Sequence, residues 1–426
     1  MSTATISRTW RSGPLAVRSF RLLAGGQLAS TIGDYCYAVA LPWFVLSSHG
    51  STILLGVVLA CYGIPRTILI PLGGVLADKL GPRTLMLVAD VIRCVLVAML
   101  AVLAARHTAS LVTLGPIAAF IGAGEGLFLP ASFAIMPSLL SSDRLAAGNA
   151  LSSAAVQVGS LIGPAIGGAM VAATRASTGA FAVDAVSFGV SALTLALIPR
   201  RAADESIAGA DEAKGTEAGG VLGLLRQSRA LQVVMVVVIA ANLAGGGEGE
   251  VALPTLAHAR WGAGVYGALL ACVAAGAMLG ALAAARTGRL RTPAVFASAV
   301  FLIEGAAICL VPYLGGVAGA ATALFVLGLC NGLGNVVFLT IAQQQIPSAM
   351  LGRVMGVIML CSFGTFPISV AVAGVLVKHI GPAPFFPIAG ALVAVAIMGG
   401  LTQRDFRAFG ARGNNAEREP RARSSV

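Results

Sequence analysis

Charged side chains are scarce in this sequence of 426 residues: they make up only 11% of it, against about a quarter in a typical water-soluble domain. Aromatic residues are also few, at 6%, and the basic residues are scattered singly, so the net charge of +11 does not indicate a nucleic-acid-binding protein. Apolar residues supply 57% of the chain. These proportions exclude a soluble globular domain and indicate a protein whose solvent is lipid.

Motifs for enzymatic chemistry are also absent from the sequence. There is no phosphate-binding GxxxxGK(S/T) run, which argues against ATP as the energy source, and no HExxH or GxSxG motif. The four histidines lie far apart, and the seven cysteines stand alone inside apolar runs, without CxxC pairs or metal-ligand spacing. We therefore expect no enzyme activity, no metal and no cofactor.

Twelve apolar stretches follow one another along the chain, each close to the roughly 20 residues that cross a bilayer as a helix. A polar segment separates them into two sets of six. They lie at 20–47, 52–76, 84–105, 110–136, 148–172 and 177–198, and then at 230–255, 264–286, 293–313, 316–342, 352–377 and 382–402. The sequence therefore predicts an all-α integral membrane protein with twelve transmembrane helices.

Lysine and arginine are distributed unevenly between the two sides of these spans. If the N-terminus is cytoplasmic, 22 of the 28 basic residues lie in inner segments and only four in outer ones. Cytoplasmic segments of membrane proteins carry an excess of these residues. We expect a multi-pass protein of the cell (plasma or inner) membrane with both termini in the cytoplasm.

The two sets of spans repeat each other weakly. The run Met-Pro-Ser at 136–138 recurs as Ile-Pro-Ser at 346–348, and each is followed by an arginine and a glycine. Parallel repeats of this kind are a transporter architecture. The predicted organisation is a tail at 1–17, a six-helix bundle at 18–199, a cytoplasmic linker at 200–229, a second bundle at 230–403 and a basic tail at 404–426.

The most specific motif lies between the second and third spans, at 74–83, and reads Gly-Val-Leu-Ala-Asp-Lys-Leu-Gly-Pro-Arg. It resembles the signature G-x-L-a-D-r-x-G-r-r of the major facilitator superfamily, from which only Pro82 departs. Gly74 would let a neighbouring helix approach closely, Gly81 would permit a sharp turn, and Asp78 could accept hydrogen bonds from the N-terminal amides of a facing helix.

The resemblance implies that this facing helix is the eleventh span, which begins near Arg353. Asp78 and Arg353 would then belong to a latch that closes the cytoplasmic side, together with Gly74, Gly81 and Arg83. The alternative is a loop that only helps to set the membrane topology.

A second motif, in the fifth span, matches the pattern g-x-x-x-G-P-x-x-G-G of the superfamily's drug–proton antiporters. Gly159 and Gly163 give a small-xxx-small face for tight helix packing, and Pro164 removes a backbone donor and bends the span. Gly167 and Gly168 complete the pattern. Because the chain has 53 glycines, the alternative is generic packing.

Seven acidic residues lie within the predicted spans, where an unpaired charge is costly. They are Asp34, Asp90, Glu125, Asp184, Glu248, Glu250 and Glu304. The resemblance implies that spans one, four, seven and ten line a central cavity and that spans three, six, nine and twelve lie outside it. On that map Asp34 and Glu125 are the best proton-coupling candidates, with Arg66 as a partner for either. The alternative is a static ion pair with Arg66.

The remaining acids have other expected roles. Asp90 is three residues from Arg93, so we expect the two to pair with each other or with the loop at 74–83. Asp184 and Glu304 lie on outer spans and are weaker candidates.

Polar residues in the second half supply further candidates. The run Gly245–Glu250 should break the seventh span, so that Glu248 and Glu250 gate the outer mouth or bind a cationic substrate; alternatively, the span ends early and both lie in water. Asn331 and Asn335 share one face of the tenth span and would hydrogen-bond either a substrate or another helix.

The sequence thus predicts a secondary transporter of the major facilitator fold. It would export lipophilic or amphiphilic small molecules, such as a drug, an antibiotic or a secondary metabolite, by proton antiport with alternating access. Its expected partners are the substrate, protons and the lipid bilayer, with no nucleic acid, and we expect a monomer. The alternatives are an importer or uniporter of a polar nutrient, and a membrane sensor or assembly protein that transports nothing.

Overall fold

The computed structural model describes residues 13–108, 110–199, 228–286, 292–345 and 348–408. Helices joined by short turns account for almost all of these residues, and no strand occurs among them. Most of the expected tails and of the expected linker at 200–229 lie outside the described ranges.

Twelve long helices run through the described part of the chain, and each of the twelve predicted spans falls on one of them. The first six are α1 (Arg18–His49), α2 (Thr52–Leu80), α3 (Pro82–Ala105), α4 (Leu111–Ala134), α5 (Ser142–Thr174) and α6 (Thr178–Ala196). Helix α7 has three parts, Arg229–Gly247, a π-helical turn at Glu248–Ala252, and Leu253–Arg260. The others are α8 (Ala263–Ala284), α9 (Pro293–Leu310), α10 (Gly316–Gln345), α11 (Ser348–Ile380) and α12 (Pro382–Thr402). The all-α fold class is confirmed.

Short turns between the helices are fixed by local chemistry. The side chain of Ser51 caps α2 by accepting a hydrogen bond of 3.1 Å from the backbone N–H of Leu54. Ser110 and Thr113 form a capping box at the start of α4. Gly81 takes a φ of +81° between α2 and α3, a conformation that favours glycine. The sharp turn expected at Gly81 is therefore present.

Eleven of the twelve helices are long and apolar enough to cross a membrane. The exception is α1, which is long enough but carries Gln27, Asp34 and several hydroxyl side chains within its length. Large apolar side chains such as Val186 and Val395 are exposed on the helix surfaces. That exposure is what a lipid environment requires of a spanning helix.

The chain divides into two compact units. The first contains Met1–Gly215, Gly246–Ala271 and Phe366–Pro382, and the second contains Thr216–Gly245, Cys272–Thr365 and Ala383–Val426. The outer part of α7, the start of α8 and the end of α11 thus group with the first six helices. The predicted bundles at 18–199 and 230–403 stay a prediction.

In the first unit, α2 packs along α4, and α1 packs along α5 and α6. Glycines make these contacts close: a Cβ atom at Gly126 would lie 2.5 Å from the carbonyl oxygen of Arg66, and one at Gly122 would overlap the carbonyl oxygen of Tyr62. Small residues let two backbones meet in this way. The close contact fixes which faces of α2 and α4 meet.

Arg83 is buried at the end of α6. Its Nε donates to the carbonyl oxygen of Leu195 at 2.9 Å and its Nη2 to that of Ala196 at 2.8 Å. The last carbonyls of a helix often lack partners within the helix, and Arg83 donates to two of those of α6; the carbonyl of Leu195 also accepts from the backbone N–H of Ile198 at 3.2 Å. Arg83 thereby joins the first turn of α3 to the end of α6, and its expected part in the cytoplasmic latch stays a prediction.

Replacing Arg83 with Met should destabilise the protein by about 1–3 kcal/mol, because buried carbonyl oxygens lose their donors. The measurement is the thermal unfolding midpoint of purified protein in detergent. Arg106→Met, which removes an exposed arginine at the other end of α3, is the matched control and should leave the midpoint close to that of the unchanged protein. Equal midpoints for the two variants would mean that the contact with α6 contributes nothing.

In the second unit α9 packs along α10, and α8 also packs closely on α10, where a Cβ at Gly276 would overlap the carbonyl oxygen of Phe325. A small cluster of Ala284, Ala297, Val337 and Ile341 lies where the end of α8 meets these two helices. The first part of α7 meets α11 through a hydrogen bond of 3.4 Å from the amide of Asn242 to the hydroxyl of Ser362.

Candidate functional site

A cavity of about 770 Å³ lies within the first unit. All six of its helices contribute side chains, with Glu250 of α7 and Phe366 of α11 added from the later part of the chain. The ionisable residues on its wall, tyrosines aside, are Asp34, Arg66, Arg93, Glu125, Asp184 and Glu250. The three residues that the sequence singled out for proton coupling, Asp34, Glu125 and Arg66, are therefore brought together.

Glu125 is held by two partners from α2. Its Oε1 lies 2.8 Å from Nη2 of Arg66, and its Oε2 accepts a hydrogen bond from the hydroxyl of Tyr62. The Arg66 guanidinium also lies 5.7 Å from the centre of the Tyr62 ring. The glycines at 122 and 126 flank Glu125, and they bring the backbones of Tyr62 and Arg66 within reach of it.

Gly126 is therefore expected to be a positioning residue for this ion pair. Adding a Cβ in Gly126→Ala should push α2 away from α4, lengthen the contact between Arg66 and Glu125 and cost about 1–3 kcal/mol in stability. The thermal unfolding midpoint of Gly126→Ala is compared with that of Gly25→Ala. The second variant is the control, because a Cβ at Gly25 meets no described atom within 4 Å. If Gly126→Ala were as stable as Gly25→Ala, the close contact between α2 and α4 at Gly126 would not contribute to stability.

Asp34 differs from Glu125 because its side chain is exposed to the cavity. Among the described residues, no Lys or Arg nitrogen lies within 4 Å of its carboxylate. Positive charge reaches Asp34 from farther away, chiefly from Arg93 and less from Arg66. The sequence offered Arg66 as a partner for either Asp34 or Glu125, and in the structure it pairs with Glu125.

Asp90 and Arg93 form the buried pair that their spacing predicted. Nη2 of Arg93 lies 2.7 Å from Oδ1 of Asp90, and the side chains are 3% and 0% exposed. The guanidinium is held between two rings, 4.7 Å from the centre of Phe128 and 4.3 Å from that of Phe188. Arg93 also lines the cavity. Helix α3 therefore contributes to the cavity, although the resemblance placed its span outside.

Asp184 on α6 is a cavity residue that sequence reasoning ranked low. It is 1% exposed and lines the cavity beside Phe188. Gly33 of α1 makes this possible, because a Cβ there would lie 2.5 Å from Oδ1 of Asp184 and would overlap the hydroxyl of Ser187. The sequence carried two signals for this contact: Asp184 is an acid inside the sixth span, and Gly33 is a glycine next to Asp34 in the first span.

Helix α7 does not break at its glycine-rich run. The predicted disturbance takes the form of a π-helical turn, in which the N–H of Leu253 bonds to the carbonyl of Glu248, five residues earlier. The helix then continues to Arg260, so the span does not end early. Glu248 is buried, at 5% exposure, and Glu250 lines the cavity.

Asn331 and Asn335 lie in the second unit and bond within it. The amide of Asn331 donates to Oε1 of Glu304 on α9 at 3.1 Å, and the amide of Asn335 donates to the side-chain oxygen of Asn331 at 2.9 Å. Both asparagines thus belong to a chain of hydrogen bonds that joins α10 to α9. The sequence predicted that these asparagines hydrogen-bond either a substrate or another helix, and the structure shows the bond to another helix; a bond to a substrate stays a prediction.

Comparison with known proteins bears on the whole chain. A family model described as Major Facilitator Superfamily matches residues 23–370. The chain belongs to the major facilitator superfamily. It is 25% identical over 382 residues to the uncharacterized MFS-type transporter YfiS of Bacillus subtilis, covering 87% of this chain and 89% of that one. It is also 25% identical over 382 residues to the multidrug efflux pump Tap of Mycolicibacterium fortuitum, with 87% and 91% covered.

A solved structure of a POT family transporter in complex with 5-aminolevulinic acid superimposes with a TM-score of 0.72 at 15% sequence identity. The superposition covers 91% of this chain and 96% of that one, and it shows that the fold is shared.

The signature loop of the superfamily has the expected backbone but different contacts. No described atom lies within 4 Å of a Cβ at Gly74, whereas a Cβ at its neighbour Gly73 would lie 2.7 Å from Cγ of Pro130. Asp78 is exposed at the end of α2. Arg353 falls within α11, and its side chain lies outside what the structure describes. The latch between Asp78 and Arg353 therefore stays a prediction.

The glycine motif of the fifth span packs α5 against α1. Cβ atoms at Gly159, Gly163 and Gly167 would lie 2.5–2.8 Å from atoms of Thr31, Tyr35 and Cys36, which succeed one another along α1. The thiol of Cys36 donates to the carbonyl oxygen of Gly163 at 3.2 Å. Gly168 faces the other way, where its Cβ would lie 2.9 Å from Cα of Gly267 at the start of α8. Pro164 lies inside α5, between these contacts.

No group of three or more His, Cys, Asp or Glu side chains in the described ranges is arranged to hold a metal ion.

Proposed function

We propose that this superfamily transporter exports lipophilic or amphiphilic small molecules in exchange for protons, by alternating access. The proposal rests on the different surroundings of two cavity carboxylates, Asp34 on α1 and Glu125 on α4. Glu125 is bound by Arg66 and Tyr62, whereas Asp34 faces the cavity with no described cation within 4 Å. A carboxyl of the second kind is placed to take up and release a proton.

The cavity wall supports a substrate that is largely apolar. Aromatic and aliphatic side chains such as Leu59, Ile121, Phe133 and Phe366 make up much of it, between the charged groups. Ligand sites of this kind gain affinity from apolar contact and orientation from a few polar groups. The wall also carries hydrogen-bonding side chains, among them Gln27, Asn149 and Gln157, so a polar nutrient remains the alternative substrate.

Asp34 is the first choice for the coupling residue, and Glu125 the second. Arg66 and Tyr62 occupy both carboxylate oxygens of Glu125, so it couples only if these contacts open during the cycle. Asp34 needs no such step. The relative named as a multidrug efflux pump supports the direction of transport, outward, and the class of substrate.

Localisation and topology belong to the same proposal. We place the protein in the cell membrane with both termini in the cytoplasm, as a monomer with six-helix bundles at 18–199 and 230–403. The Asp78 loop and the start of α11 would then close the cytoplasmic side. If Asp78→Asn leaves transport intact at normal surface expression, this part of the proposal is wrong.

The experiment is uptake of a fluorescent amphiphile into proteoliposomes under an imposed pH gradient. Gradient-dependent uptake that disappears with a protonophore, and that protein-free liposomes do not show, is the expected result. Uptake that ignores the gradient would point to the uniporter, and no movement of any amphiphile would point to a membrane protein without transport activity.

A further inference from the structure

One face of α5 brings uncharged polar side chains to the cavity. Asn149, Ser152, Ser153 and Gln157 all line it, and they follow one another at intervals of three or four residues along the helix. Residues at these intervals are neighbours on one face of a helix. Because a helix rises about 1.5 Å per residue, this polar strip is about 12 Å long.

A side chain of α1 lies beside the polar strip. A Cβ at Gly159 would lie 2.6 Å from Cγ2 of Thr31, and the next glycine of the motif meets the next turn of α1 in the same way. The two helices therefore run side by side in one register. One turn before Thr31, this register places Gln27 level with the part of α5 between Ser152 and Gln157. Gln27 also lines the cavity.

The described part of the protein does not use the hydrogen-bonding groups of the polar strip. None of the side-chain amides of Gln27, Asn149 and Gln157 has a hydrogen-bond partner among the described residues. The hydroxyl of Ser152 is buried and also has no described partner. Polar atoms left in this way mark a place where a bound molecule completes the hydrogen bonding.

Other hydroxyl groups on the cavity wall differ from that of Ser152. Those of Ser30 and Thr31 donate to the carbonyl oxygen of Gln27, at 3.2 Å and 2.7 Å. The hydroxyl of Ser132 donates to the carbonyl oxygen of Leu129 at 2.7 Å. Each of these three hydrogens is already bonded within its own helix. The donors available to a ligand are therefore concentrated on the polar strip and Gln27.

Helix α4 gives the cavity a wall of the opposite character. Most of its lining side chains are apolar, among them Ile121, Phe128 and Phe133, and its one acid, Glu125, is paired with Arg66. A cavity with one apolar wall and one wall of uncharged hydrogen-bonding groups matches a molecule that is itself divided in this way.

We propose that the polar strip of α5, together with Gln27, binds the uncharged polar end of the substrate, an end that carries hydroxyl or carbonyl groups. This inference rests on the proposed function and narrows its substrate to neutral amphiphiles. Side-chain amides both donate and accept hydrogen bonds, so they match hydroxyl and carbonyl groups and favour neither a cation nor an anion. An analogue without such groups leaves the amides unpaired and binds more weakly.

The test uses three ligands that share parts of one molecule. Naphthyl glucoside has an apolar ring system and an uncharged polyhydroxyl end, methoxynaphthalene lacks the sugar, and methyl glucoside lacks the ring system. Equilibrium binding of each is measured to the full-length protein in nanodiscs, with empty nanodiscs subtracted. We expect naphthyl glucoside to bind at least about tenfold more tightly than either of the others.

Each contrary result has a distinct meaning. Equally tight binding of methoxynaphthalene would overturn the proposal, because the polar strip would then contribute nothing. Equally tight binding of methyl glucoside would overturn the assignment to amphiphiles and support a polar nutrient as the substrate.

Variants assign the preference to the polar strip. Gln157→Met removes the amide and keeps the length of the side chain, so it should weaken binding of naphthyl glucoside by about fivefold or more and leave that of methoxynaphthalene unchanged. Gln157→Asn keeps an amide and should retain part of the preference. Gln403→Met replaces an exposed glutamine outside the cavity and should bind as the unchanged protein does.

An unaltered preference in folded Gln157→Met would contradict the assignment and mean that this polar face does not contact the ligand. Asn149→Leu, at the exposed start of the polar strip, carries the same expectation and decides the matter if Gln157→Met does not fold.

The binding assay needs no gradient, so its outcome is separate from that of the transport assay. A preference for naphthyl glucoside without pH-driven transport would leave the binding site standing and reject proton antiport. Gradient-driven transport of amphiphiles, without any preference for the glucoside, would reject the binding site and leave proton antiport standing.

Discussion

Proteoliposomes that contain Asp34→Asn are expected to lose the gradient-dependent part of substrate uptake and to match protein-free liposomes. The physical reason is that the asparagine amide keeps the size of the side chain at the cavity surface but cannot bind and release a proton. Binding of an uncharged amphiphile should persist, because the apolar wall that Phe133 and Ile121 contribute to is untouched. The measurement is the initial rate of uptake with and without an imposed pH gradient.

The control for this variant is Asp143→Asn, which neutralises an acid on the exposed first turn of α5. It should transport as the unchanged protein does. Full gradient-driven uptake by Asp34→Asn at equal reconstitution would move the coupling role to another carboxylate, with Glu125 and its exchange with Arg66 as the next to be tested.

Loss of Arg93 is expected to have the largest effect on stability. In Arg93→Met the carboxylate of Asp90, which is fully buried, loses its partner, and Asp34 and Asp184 lose the cation that acts on both. Removing one partner of a buried ion pair costs about 3–5 kcal/mol. Purified Arg93→Met should therefore unfold at a much lower temperature than the unchanged protein, or fail to fold.

The double variant Asp90→Leu with Arg93→Met separates the ion pair from packing. It removes both charges of the pair and keeps apolar volume between Phe128 and Phe188, so it should recover much of the lost stability. If the double variant were no more stable than Arg93→Met alone, the cost would lie in the cation–π contacts or in the other cavity acids. The thermal midpoints of both variants are compared in one detergent.

The helices were predictable because hydropathy is a local property. Each predicted span falls on one helix, and the largest differences, at the start of α5 and the end of α7, are extensions through less apolar residues. The sharp turn at Gly81 was likewise predictable, because glycine readily adopts a positive φ, here +81°.

The direction in which a side chain points was harder to predict, because it depends on how a helix is rotated about its axis. Asp184 was expected on an outer helix, yet the face of α6 that carries it turns towards Gly33 of α1. Gly73, and not Gly74, meets α4 for the same reason. The available signal for such a contact is a small residue on each of the two helices that meet. A single sequence does not show which helices meet.

Contacts of charged residues were also easier to predict within one helix than between helices. The spacing of Asp90 and Arg93 indicated that they could pair, because both lie on one helix, with the loop at 74–83 as the alternative partner. The partners of Arg83 and Arg66 come from other helices, so the sequence offered several acceptors for each. In α7, the glycine-rich run at 245–250 indicated a disturbed helix, but whether it breaks or forms a π-helical turn depends on the packing around it.

The most direct test of the account is whether outward movement of substrate drives protons inward. Proteoliposomes are loaded with an amphiphilic substrate and a pH-sensitive dye and then diluted into substrate-free buffer at the same pH. Antiport through Asp34 predicts that the lumen acidifies as the substrate leaves, and that Asp34→Asn shows no such change. Loss of substrate from the unchanged protein at constant lumenal pH would contradict proton exchange.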